Sequence, residues 1–297
     1  MALRCYRYAP ALSLLILGCH EAVAPSQNPA PPPSRRVVAA HTLKLPPRAP
    51  DARTGSAFID HAYGMKIAER EHAIVEEIMA GNVPAFEREL VPVELRAKAR
   101  DGREIRARVF VMPDYLAIGS DDDFVRIPMT VRNARKIARE TGTLLPTPHL
   151  VDEIQRNAAV RVVASHMTPG DEMASVSYYL AHNQTIEERR KAQHHVLGTL
   201  LSGPKKDLVV TIRMLETSHR TPIYGWFNED GSPIQALSLV HDDRYVDYAH
   251  GIRLVDSEME VDGVRRELLD VLASRNEAAL VSDEGAYDLR TVWEKGW

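Results

Sequence analysis

Leu208–Met214 (LVVTIRM), Ile223–Phe227 (IYGWF), Ile234–Val240 (IQALSLV) and Gly251–Val255 (GIRLV) follow one another with no helical pattern between them. Each is a short run rich in β-branched, aromatic and aliphatic residues bounded by turn formers, which reads as a strand. Parallel neighbours need a crossover of a dozen or more residues, usually a helix. Strands joined this directly favour antiparallel pairing. The expectation is an α+β fold: a mostly antiparallel sheet with packed helices, in a single domain.

Upstream, helices and strands alternate. Phe58, Ile59, Tyr63, Ile67, Ile74, Val75, Ile78 and Met79 recur at helical spacing, predicting one amphipathic helix over Ala57–Ala80. Ile105–Met112, Tyr115–Ile118 and Phe124–Ile127 read as strands, the last two joined by a turn at Asp121, Asp122 and Asp123. Helices are expected over Thr130–Glu140, stopped by Gly142, and from Pro148. Val160–Ala164 and Ser175–Leu180 look strand-like. Ile186–Leu201 reads as a helix with Thr185 as cap and Glu188 completing a capping box. A last helix is expected over Val264–Ala273.

The first residues have another character. Arg4 and Arg7 precede a short apolar run, Ala11–Leu17, and Gly18-Cys19 ends it. These are the parts of a secretory signal. The run falls well short of the roughly 20 apolar residues that span a bilayer. Leu15-Ile16-Leu17-Gly18-Cys19 resembles the lipobox of bacterial lipoproteins. The resemblance implies cleavage of residues 1–18 and lipidation of Cys19, with each buried CH₂ contributing about 0.8 kcal/mol to membrane attachment. His20 stands where lipoproteins kept at the inner membrane carry Asp, so the outer membrane is the expected address. Residues 19–50 hold eight prolines and read as an extended tether. The folded domain is expected over 51–297, in the cell envelope. Cys5 lies in the removed segment, so the mature domain has no disulfide, cysteine nucleophile or thiolate metal site. The net charge of −4, with acids and bases interspersed, argues against nucleic acid as a partner.

The densest polar segment is Ser238–His250, between two expected strands. Loops on a rigid sheet are where catalytic groups concentrate. Ser238 with a histidine and Asp247 could form a nucleophile–base–orienter set. Alternatively His241, Asp247 and His250 could hold a divalent metal such as zinc, the candidate cofactor. Tyr248 could position substrate or supply a proton. Against these stands a plain hairpin turn at Asp242, Asp243 and Arg244. Lys205 and Lys206, before Asp207, could act as a base or steady an anion, and Tyr224 and Trp226 could stack on a sugar ring. His166 and His182 stand isolated.

Met112–Phe124, Ile127–Thr130, Leu144–Thr147, Ile223–Trp226, Leu237–His241 and Tyr245–Gly251 together resemble a group of exported bacterial proteins with no known activity. The resemblance implies no catalytic residues. Two functions therefore stay open. One is an envelope hydrolase acting on cell-wall or extracellular polymer, with cell-wall glycan or peptide as partner. The other is a non-catalytic lipoprotein that binds a ligand.

Overall fold

In the computed structural model, residues 41–295 are described. The signal, Cys19 and most of the tether lie outside them. In chain order the elements are α1 (Gly55–Ala62), α2 (Ile67–Met79), β1 (Val91–Lys98), β2 (Glu104–Val111), β3 (Ala117–Gly119), β4 (Phe124–Arg126), α3 (Val131–Thr141), β5 (Thr143–Leu144), α4 (Pro148–Asn157), β6 (Val160–Arg161), α5 (Val176–Ala192), β7 (Leu201–Ser202), β8 (Lys206–Leu208), β9 (Ile223–Phe227), β10 (Pro233–Ser238), β11 (His250–Gly251), β12 (Val255–Val261), β13 (Val264–Glu267), α6 (Leu268–Ala273) and α7 (Arg290–Lys295).

The fold is α+β with mostly antiparallel sheets. A five-stranded sheet runs β1-β2-β12-β13, with β5 added on β12. A four-stranded sheet runs β10-β9-β8-β11. Helix α4 contacts both, touching β1 of the first and β9 of the second. Parallel pairing occurs where β11 meets β8 and where β6 meets β7. The core joins Val93, Leu95 and Val109 of the first sheet to helix residues Ile74, Ile137, Leu150 and Tyr179.

Several expectations need correction. The helix over Ala57–Ala80 is two. Tyr63, counted on the apolar face, is 74% exposed. Its backbone turns extended and Gly64 takes φ +78°, the left-handed geometry that ends helices. Ser175–Leu180 is not a strand but the opening of α5, with Ser175 Oγ accepting from the Tyr178 amide at 3.2 Å. Its core face carries His182, Asn183 and Arg190 among Val176, Tyr179 and Ile186. Polar residues at those positions hide the helical period from a hydrophobic reading. Thr185 is therefore no cap: its hydroxyl donates within the helix to the Ala181 carbonyl. The helix ends at Ala192, well before Leu201.

Val264–Glu267 is a strand, not helix, because Asp262-Gly263, at φ +48° and +80°, is a two-residue hairpin turn to β12. Leu208–Met214 divides into the end of β8 and a 3₁₀ turn, Ile212–Leu215. The tether is shorter than expected. His41 stacks on Phe110 and bonds Asp256 at 2.6 Å, Leu43 is buried, and the Leu43 and Leu90 amides make backbone bonds across this segment. The folded body thus includes His41–Pro50, not only Asp51 onward.

One topological fact positions the site. Strands β10 and β11 occupy opposite edges of their sheet. They form no hairpin, so the polar segment between them has to cross from one edge to the other.

Candidate active site

Parallel pairing of β11 with β8 sets His250 opposite Lys206 and Gly251 opposite Asp207. Gly251 has to be glycine: a Cβ there would lie 2.5 Å from the Tyr115 ring and 2.6 Å from Lys205 Cβ. This close approach lets the crossing segment press onto β8. Lys206 Nζ then lies 3.4 Å from Asp247 Oδ2 and 4.9 Å from the centre of the Trp226 ring. Asp247 Oδ1 accepts from the Ala249 amide at 2.7 Å, and Oδ2 accepts from the Tyr245 hydroxyl at 3.2 Å.

The rings of His241 and Tyr245 stack at 3.8 Å, 9° from parallel. Tyr245 meets His250 edge-on at 5.7 Å. Sequence reasoning brought His241, Asp247 and His250 together, and the structure gathers them around Tyr245. His241 and Tyr245 are half-buried, while Asp247 and His250 are buried. Neither ring nitrogen of His250 has a hydrogen-bond partner. A buried polar group left unpaired costs roughly 1–3 kcal/mol, so its retention calls for a reason beyond packing.

Electrostatics follow from burial. It lowers His250 to about 4, against the pull of Asp247. It also lowers His241 from its ordinary value, so both imidazoles are neutral near pH 7. Burial opposes the Asp247 charge, but nearby His250 and Lys206, with bonds from Ala249 and Tyr245, hold its pKa below the usual range. Because His250 is neutral near pH 7, Lys206 supplies the opposing charge there. Burial and Asp247 push the Tyr245 hydroxyl up to about 12.

Behind this layer Lys205 is wholly buried, donates to the Tyr248 carbonyl at 2.7 Å, and is lowered to about 7 by burial and then by Arg126. His182 packs edge-on against Tyr248 and is lowered to about 2 by burial, then Lys205. On the far side of β8, burial raises Asp207 to about 7 while it accepts from the Tyr115 hydroxyl at 3.1 Å.

Other sequence-derived roles change. Ser238 Oγ accepts only from the Val240 amide, at 3.4 Å, and bonds neither histidine nor Asp247. The nucleophile–base–orienter set is therefore not assembled. Among the described residues no three His, Cys, Asp or Glu side chains come together to hold a metal, so His241, Asp247 and His250 are not a ligand set. Tyr245 occupies the space between the two imidazoles. The Tyr248 hydroxyl accepts from the Met167 amide, leaving Tyr245 as the phenol at Asp247.

Tyr224 and Trp226 do not form a joint platform. Gly225 and Trp226 both take positive φ, +98° and +58°, which breaks the strand's alternation. Tyr224 donates to Asp152 of α4 and packs with Val151 and Phe227, whereas Trp226 backs the exposed ring of His166 at 4.2 Å. A bulky residue at positive φ is a true outlier, and such strain concentrates at functional sites. His166, His182 and Tyr245 carried no spacing signal; only their neighbours in space reveal them.

Comparison of the chain with protein-family models, with curated proteins and with solved structures gives no significant match.

Proposed function

We propose that this is an exported cell-envelope lipoprotein, held at the outer membrane through Cys19, whose domain hydrolyses a cell-wall or extracellular polymer. Membership of the exported group resembled above is part of this proposal. The observation that carries the hydrolase reading is a neutral, half-exposed imidazole, His241, stacked beside a Tyr245–Asp247–Lys206 array on a loop that crosses the sheet. A neutral imidazole open to solvent can take the proton that water activation releases.

The chemistry balances without a covalent intermediate. His241 takes a proton from the attacking water, the hydroxide oxygen bonds the carbonyl carbon of a peptide or ester link, and Lys206 steadies the oxyanion. The carbon–leaving-group bond then breaks, and His241 returns the proton to the departing nitrogen or oxygen. Asp247 pairs with Lys206 at 3.4 Å and accepts from Tyr245, the ring against which His241 stacks.

The address is supported by the signal anatomy; among the described residues no helix is long and apolar enough to cross a membrane. Intact mass of native material tests it: a chain starting at Cys19 with added acyl mass is expected, and an unmodified chain starting at Met1 contradicts it. For the activity, the mature chain is incubated with isolated cell wall, and new amine or carboxyl ends are measured. Release by the native chain and its loss in His241→Ala are expected. No release, or equal release by both, rejects the hydrolase.

A second reading has one specific support. The exposed His166 ring against Trp226 offers a stacking surface for a sugar. Glycan pull-down that is abolished in His166→Ala, in the absence of turnover, would favour a binding protein.

A further inference from the structure

Besides that site, α2 and α3 flank a cleft of about 550 Å³, within the size range of small-molecule sites. On α2 its lining includes the apolar Ile67, Ala68 and Val75, with Ile67 48% exposed, and beside them the exposed His72, which pairs with Glu76 at 3.1 Å. Lys136 from α3 and Arg244 from the crossing loop are exposed and complete the lining. Among the described residues, neither the Lys136 ammonium nor the Arg244 guanidinium has an ion-pair or hydrogen-bond partner. Arg132, also in the lining, is spent on Asp243 at 2.7 Å.

The floor has the opposite sign. Glu71 is buried, and its Oε2 accepts from the Thr130 amide and hydroxyl and from the Asn133 side chain. An anion is thus excluded from the floor and drawn to the rim. An apolar strip of Ile67, Ala68 and Val75 bordered by the exposed cations Lys136 and Arg244 matches a molecule with an apolar body and one negative end.

We infer that the α2–α3 cleft binds a long-chain carboxylate, its chain lying along Ile67, Ala68 and Val75 and its head taken by Lys136 and Arg244. This is a second site, independent of the hydrolase reading. Isothermal titration of the mature chain with sodium dodecanoate, below its micelle concentration, tests it. One-to-one binding is expected, with no binding of acetate and much weaker binding of dodecyl maltoside, which keeps the chain but lacks the charge.

Lys136→Glu/Arg244→Glu should weaken dodecanoate binding about tenfold or more, and Ala68→Trp, which fills the cleft from an exposed helix position, should abolish it. Circular dichroism checks that both variants stay folded. Absence of dodecanoate binding, equal affinity for the maltoside, or unchanged affinity in the folded variants overturns the inference.

Discussion

Two buried polar clusters lie close together in this domain and are built on opposite plans. Around Arg126, Nε and Nη2 donate to the two oxygens of Asp114 at 2.8 and 2.6 Å, Nη2 also reaches Glu187, and Nη1 donates to Asn183. Arg190 in turn clasps Glu187. Around His250, by contrast, ring nitrogens stay unpaired, a lysine is driven toward neutrality, and a tryptophan sits at positive φ. A satisfied network fixes a fold; an unsatisfied one costs stability and implies use. The difference separates framework from site.

The largest expected effect breaks the framework. Arg126→Met leaves Asp114 buried without its counter-charge and should cost about 3–5 kcal/mol. Denaturant unfolding of the variant checks this; a loss below 1 kcal/mol would mean the Arg126 cluster is not the framework. Next comes the site. His241→Ala should reduce turnover by about 10²–10⁴-fold while changing stability by less than about 0.5 kcal/mol, read by end-group release and unfolding on one preparation.

A pH series sharpens the contrast. His250 binds a proton near pH 6.5 when unfolded but only near 4 when folded. Between those values the unfolded chain holds more protons, so this residue's contribution to stability falls as pH drops. Asp207, raised from 3.8 to about 7, acts the other way: its protonated form favours the folded state, and that advantage is lost as pH rises through the same range. The difference between native chain and His250→Leu removes the Asp207 share. Relative to the variant, the native chain should lose about 3 kcal/mol from pH 6.5 to 4. At pH 7 the leucine variant should equal or exceed native stability, because an unpaired polar group is gone.

Smaller effects mark residues outside the contrast. Tyr224→Phe removes the bond to Asp152 and should cost about 1 kcal/mol by thermal unfolding, with turnover unchanged. Ser238→Ala should alter neither stability beyond about 0.5 kcal/mol nor turnover. A large fall in turnover would restore Ser238 as nucleophile.

How much of this was legible follows from local signals. The succession of Ile223–Phe227 and Ile234–Val240 reads directly as antiparallel strands, and the structure pairs them so. Helix α5 was obscured because His182, Asn183 and Arg190 face the core. The Asp262-Gly263 turn signal competes with the helical spacing of Val264–Ala273, and the pairing of β12 with β13 decides between them. His241, Asp247 and His250 stood out by density, yet their arrangement depends on β11 pairing across to β8, which no local pattern encodes. Arg126 gave no signal at all: in a strand it reads as an exposed charge, and only Asp114, Asn183 and Glu187, distant in sequence, make its burial tolerable.

The sharpest test is ¹⁵N NMR of side chains in the mature chain titrated with soluble cell-wall fragments. The His241 and His250 ring signals should move on binding while the Arg126 guanidinium signals stay fixed. Fragments that bind and leave both imidazoles unmoved, or that shift Arg126 instead, would contradict the assignment of site and framework.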